Sequence, residues 1–76
     1  MDAEDVNKIY VALLDEGTDC WRPVQAVQIR QGVFRIIEQV IPEDELWEFR
    51  PGDTVSCDLY DFANGTEFRA LKKIDD

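Results

Sequence analysis

Ser56, the chain's sole serine, stands directly beside Cys57, and no histidine exists anywhere to take a proton from either. Attack by a hydroxyl or thiol needs a positioned base, and histidine is the usual one. Alternation along TVSCDLYDF puts Cys57 on the side of Val55 and Leu59, the position of a packed thiol rather than a reactive one. Carboxylates offer a second chemistry. Asp15, Glu16 and Asp19 crowd one short stretch, and Glu43, Asp44, Glu45 and Glu48 another. Acid pairs cleave glycosidic bonds only across a cleft that holds the sugar, and a chain this short rarely forms one. Either could hold Ca²⁺ loosely, but the 15–19 corner lacks the spacing of an EF-hand loop. Two cysteines and no histidine supply too few ligands for zinc. These residues imply no enzyme, no metal and no cofactor, and the acidic stretches read as solvated surface.

Charge narrows the partners. The chain carries 17 Asp and Glu against 8 Lys and Arg, a formal charge of −9. Its cations are scattered, and only Lys72 and Lys73 are adjacent. Direct binding to a phosphate backbone needs clustered cations, so nucleic acid is disfavoured. MDAEDVNK lacks the basic and apolar regions of a secretory signal, and no apolar run approaches the ~20 residues of a membrane span. The expectation is a cytoplasmic protein with reduced thiols and no membrane association. A Cys20–Cys57 disulfide is the alternative, and it requires neighbouring strands.

The elements that must position these residues read as β-rich throughout one domain over residues 1–76, with charged ends expected to fray. NKIYVALLD (7–15) is apolar on both faces. EGTD makes a hairpin corner into CWRPVQAVQI (20–29). The apolar phase changes inside that second run, which predicts a bulge, and Pro23 belongs at an edge or distortion. After RQG comes VFRIIEQVI (33–41), bounded by Gly32 and Pro42. Pro42 followed by Glu43, Asp44 and Glu45 predicts a short helical turn near residues 43–48. Arg50-Pro51-Gly52-Asp53 fits a type II turn. TVSCDLYDF (54–62), the Asn64-Gly65 hairpin signal and TEFRALKKI (66–74) complete the set. Five short strands with tight connections predict an all-β barrel, with an OB-type barrel as the structural alternative.

Three stretches carry resemblances. CWRPVQAVQIRQGVFRIIE resembles the second and third strands of Tudor-like and other SH3-like barrels. FRPGDTVSC resembles a turn-and-strand common to SH3-like and OB-type barrels. LLDEGTDCWRPV resembles the opening hairpin of a group of small uncharacterised bacterial proteins, a likeness that implies a bacterial origin and assigns no functional residue. The Tudor likeness would imply an aromatic cage for a methylated cation, and nothing in the spacing of Trp21, Tyr60 and Phe62 requires one.

With Val11, Val24, Ile37, Val55 and Leu59 assigned to the interior, many large side chains have the opposite parity. They include Tyr10, Leu14, Trp21, Phe34, Tyr60 and Phe62, and Trp47 and Phe49 come from the loop. A chain this short has little interior in which to hide them. The sequence therefore predicts a non-enzymatic interaction module that binds a protein partner, or itself as a homo-oligomer. Trp21, Trp47, Tyr60 and Phe62 would be its anchors, with Asp15, Glu16, Asp19, Glu43 and Glu45 steering a basic partner. The alternatives are an acidic mimic that occupies a nucleic-acid-binding protein and a binder of a small ligand.

Overall fold

The computed structural model describes residues 6–14, 20–63 and 65–74. The acidic corner 15–19, Asn64 and the extreme ends lie outside these. Five strands follow in chain order: β1 (Val6–Ala12), β2 (Trp21–Arg30), β3 (Val33–Ile36), β4 (Thr54–Phe62) and β5 (Gly65–Lys73). Each pairs antiparallel with the next, and β5 meets β1 to close a barrel. An up-and-down meander with an odd number of strands brings first and last together in the same direction. The closing contact, Tyr10 opposite Arg69, is accordingly parallel. No helix occurs among the described residues, and none is long and apolar enough to cross a membrane.

Ile9, Val11, Val24, Ala26, Phe34, Ile36, Val55 and Ala70 fill the interior. Ile9 and Val11 are two apart on β1, as are Val24 and Ala26 on β2, which is the period that lines one face of a strand. The β1–β2 ladder reaches Leu13, whose N–H donates to the Cys20 carbonyl at 2.9 Å. Pro23 sits opposite Tyr10. Gln25, of the same parity, turns its backbone away from β1 toward Ile37 and Gln39. The proline nitrogen therefore faces past the end of β3, where no ladder donor is needed.

The bulge expected inside β2 is present, at Ile29, the extra residue between the pairs Gln28–Phe34 and Arg30–Val33. Several other expectations are corrected. β3 stops at Ile36 instead of running to residue 41. Beyond it the Gln39 side chain replaces a strand, accepting from the Gln25 N–H at 3.0 Å and donating to the Gln25 carbonyl at 2.9 Å. Phe34 and Ile36 point inward, where Ile37 was expected, because Arg35 between them takes the solvent side. Leu59 keeps the parity of Val55 but is 61 % exposed, since β4 runs past Val33, where β3 begins, and no described strand lies on that side of it.

The short helical turn at 43–48 does not form. Residues 42–45 make a single turn, closed by the Glu45 N–H on the Pro42 carbonyl at 3.0 Å. The chain then extends beside the end of β1: Leu14 N–H donates to the Leu46 carbonyl at 2.7 Å and Glu48 N–H to the Ala12 carbonyl at 2.9 Å. Leu46 and Glu48 face out while Trp47 and Phe49 are buried. Burial of two rings at alternate positions outweighs the helix-start signal of one proline and three acids. The Arg50–Asp53 turn forms as expected, with Gly52 at φ 97° and the Asp53 N–H on the Arg50 carbonyl at 3.0 Å. At the other end of the chain Ile74 is tied to β4 through the Thr54 carbonyl at 2.8 Å.

Candidate functional site

The two Trp, two Tyr and four Phe divide evenly between inside and outside. Phe34, Trp47 and Phe49 are buried, and Phe68 packs against the core with its ring 5.0 Å from that of Phe34. Tyr10, Trp21, Tyr60 and Phe62 lie on the outer surface and gather into one cluster. Phe62 stands 4.4 Å from Tyr10, 4.9 Å from Tyr60 and 5.7 Å from Trp21, centroid to centroid. Trp21 and Tyr60 are 6.3 Å apart. The pairs with Phe62 are tilted or edge-on, the arrangements that ring quadrupoles favour.

Strand parity brings these rings together. On β4, Val55 and Cys57 turn inward, so Asp58, Tyr60 and Phe62 turn outward. A bulge gives β5 one extra residue, Leu71, between its pairings with Ser56 and Cys57. Bulges bend and twist a ladder. Tyr60 remains 40 % exposed, while Tyr10, Trp21 and Phe62 are half-buried by one another.

Two internal ion pairs frame the cluster. The Arg69 guanidinium lies 4.1 Å from the Tyr60 ring centre and is held by Asp58, Nε to Oδ1, at 2.9 Å. The bond that Arg69 donates to Asp58 holds its guanidinium above the ordinary arginine range. Lys8 sits 5.4 Å from the Tyr10 ring centre and 3.6 Å from Glu67. One face of Tyr60 is therefore taken by a cation of the same chain, where a methyl-lysine cage would keep it open.

Of the residues expected at a binding face, Trp21, Tyr60 and Phe62 meet, and Tyr10 joins them. Trp47 does not: at 4 % exposure it plugs the barrel, with its Nε1–H on Glu45 Oε1 at 3.0 Å. Glu45 also holds Arg22 through a two-pronged bond, one prong being Nε to Oε1 at 2.9 Å. These bonds, from Arg22 first and Trp47 second, hold the Glu45 carboxyl below its ordinary value. Glu45 thus closes the barrel floor and is not a solvated steering charge. Glu43 is exposed, and Asp15, Glu16 and Asp19 fall outside the described residues. The sequence places Tyr10 among the opposite-parity residues but not among the anchors, because β1 is apolar on both faces and does not show which of them faces out.

At the other end of β2 an open depression of about 530 Å³ is lined by Asn7, Val27, Gln28, Arg30 and Arg35, among others. Among the described residues no three His, Cys, Asp or Glu converge as a metal site would require. Cys20 and Cys57 are not joined. Desolvation, helped by Asp58, pushes the Cys57 thiol up to about 12.

Two limbs of a pH–stability curve follow. The lowered Glu45 value contributes stability that is present above about 4.5 and is lost as pH falls through the folded value. The raised Cys57 value works in the other direction. Between pH 9 and about 12 the folded chain keeps a proton that the unfolded chain has released, so stability falls as pH rises through that window. Urea melts across pH are expected to show both limbs, with Glu45→Gln flattening the acid limb and Cys57→Ala the alkaline one.

No family model matches this chain, and neither a curated protein nor a solved structure matches it.

Proposed function

We propose that this five-stranded barrel is a non-enzymatic protein-interaction module of SH3-like type, and that its outer cluster of Tyr10, Trp21, Tyr60 and Phe62 is the contact face. What carries the reading is the division of the aromatics. Half of them stay outside on one surface in a chain too short to spend large apolar side chains idly. Tyrosine and tryptophan supply contact area at low cost in conformational entropy, which is why they dominate interface hot spots. The charge of −9 favours a basic partner and speeds its approach at low salt. A second copy of the chain is the other occupant this face admits.

A photo-crosslinking amino acid placed at Glu67, beside the cluster, tests the reading in the cells that express the protein. A defined adduct is expected, either with one partner or with the chain itself. Trp21→Ala or Tyr60→Ala is expected to weaken that association by about 2 kcal/mol, roughly thirtyfold. Adducts unchanged by both substitutions would overturn the assignment. The net charge alone favours a second reading, a mimic that occupies a nucleic-acid-binding protein. Binding of that kind collapses as salt rises, whereas binding by the aromatic face persists.

A further inference from the structure

β3 has four residues and β4 nine, and the two pair only from Val33 to Arg35 and from Thr54 to Ser56. One more bond, Cys57 N–H to the Gly32 carbonyl at 2.8 Å, ends that ladder. From Asp58 to Phe62, β4 runs on with β5 along one side and no described strand along the other. The Cys57 bond sets the parity. Its N–H points toward β3, and the β4–β5 register has no shift from there to the hairpin end. Leu59 and Asp61 therefore point their backbone groups to the same open side, while Asp58, Tyr60 and Phe62 bond across to β5.

The N–H and C=O of Leu59 and Asp61 form a row with no backbone partner among the described residues. Proteins normally blunt such edges with lysine, proline or a bulge. No proline or lysine lies between Asp58 and Phe62, and the one β4–β5 bulge comes before them. Leu59 is left 61 % exposed on this edge.

We infer that this edge receives an extended segment of another protein as an added β-strand. The segment carries a lysine or arginine opposite Asp61 and apolar side chains opposite Leu59 and Tyr60. The inference rests on the interaction-module reading above and adds which backbone is engaged and with what chemistry. Donors and acceptors that recur at every second residue are met by another strand. Its apolar residues cover Leu59 on one face and extend the ring cluster on the other. Its charge follows from complementarity. The chain is at −9, Asp61 lies on the edge itself, and residues 1–5, 15–19 and 75–76 contain acids and neither lysine nor arginine. The chain's own undescribed segments do not complement the edge, and neither does a second copy bearing the same charge.

The probe is the peptide acetyl-(Lys-Val-Val)3-amide, with acetyl-(Glu-Val-Val)3-amide as its charge control, added to the full chain. Hydrogen exchange at the Leu59 and Asp61 amides is expected to slow with the lysine peptide and not with the glutamate one. Leu59→Pro removes an edge donor but no β4–β5 bond, so the barrel stays folded and affinity drops about tenfold. Asp61→Lys keeps every backbone group and gives a similar loss through charge alone.

Unchanged exchange at both amides, or equal binding of the two peptides, would overturn the inference. So would concentration-dependent protection of those amides without any peptide, which assigns the edge to a second copy. Binding lost in Trp21→Ala but kept in Leu59→Pro leaves the aromatic face standing and removes the edge. The reverse pattern keeps the edge and removes the face.

Discussion

Trp47→Ala is expected to move the urea midpoint far below that of the wild type, with a loss of about 3–5 kcal/mol. Trp47 is 4 % exposed, packs with Phe49 into the barrel end and donates its indole N–H to Glu45. Truncating a buried tryptophan costs about 3–5 kcal/mol, through lost transfer energy and the cavity left behind. A chain of 76 residues has a total stability on the order of 4–11 kcal/mol, so the loss is a large share of it. The Glu45 carboxylate also loses one of its donors, although Arg22 still holds it. Urea denaturation followed by the remaining indole, Trp21, is the measurement. Trp47→Phe separates the contributions, since it keeps most of the packing and removes only the N–H bond. A cooperative transition in Trp47→Ala at the wild-type midpoint would mean that this ring is not in the core.

The barrel was legible in the sequence because turn chemistry marks its corners. Pro51-Gly52 and Asn64-Gly65 bracket β4, and both connections fall where those residues predict. The strand interiors were legible only where polar residues broke the symmetry between faces. VFRIIEQVI has apolar residues at both parities, so alternation alone could not choose a face. Arg35 was the informative position: with it outside, Phe34 and Ile36 must be inside. Leu46-Trp47-Glu48-Phe49 alternates too, and Glu48 marks its outer side. The proline and acids upstream obscured that signal by suggesting a helix start. Leu59 shows the opposite limit. Its parity was read correctly, but its exposure depends on β3 beginning only at Val33, after the chain has turned away at Gly32, a tertiary fact that no local pattern around Leu59 contains.

The candidate site was legible to a similar degree. Trp21, Tyr60 and Phe62 stood out as rings of the wrong parity for the interior, and the barrel gathers them. Trp47 had the same apparent status and went inside, because a ring on a connecting segment can fold over a barrel end whereas a ring fixed on the outer face of a strand cannot. Register decides the difference. A one-residue slip would exchange the two faces of β4, and the Phe62–Gly65 closure of its hairpin holds it in place. The ring cluster and the open edge therefore depend on the same hairpin. Tyr60 and Phe62 present their rings outward, while Leu59 and Asp61, alternating with them, present backbone to the side.

Phe34→Ala is the substitution that tests this division of labour among the rings. Phe34 is 1 % exposed and is the largest of the fully buried side chains, so its truncation is expected to cost about 3–5 kcal/mol. Phe68→Ala should cost less, because Phe68 is only partly buried. The two rings lie 5.0 Å apart, and a double-mutant cycle between them is expected to return a coupling of about 0.5–1.5 kcal/mol. Trp21→Ala in the same host is expected to cost about 1 kcal/mol, as the Trp21 ring packs against other surface rings and is half-buried. Equal losses for Trp21→Ala and Phe34→Ala in denaturant melts would make the outer cluster a second core that exists to hold the barrel together. A loss several times larger at Phe34 leaves Tyr10, Trp21, Tyr60 and Phe62 with little share in stability, and the retention of four large rings on the surface then calls for a binding role.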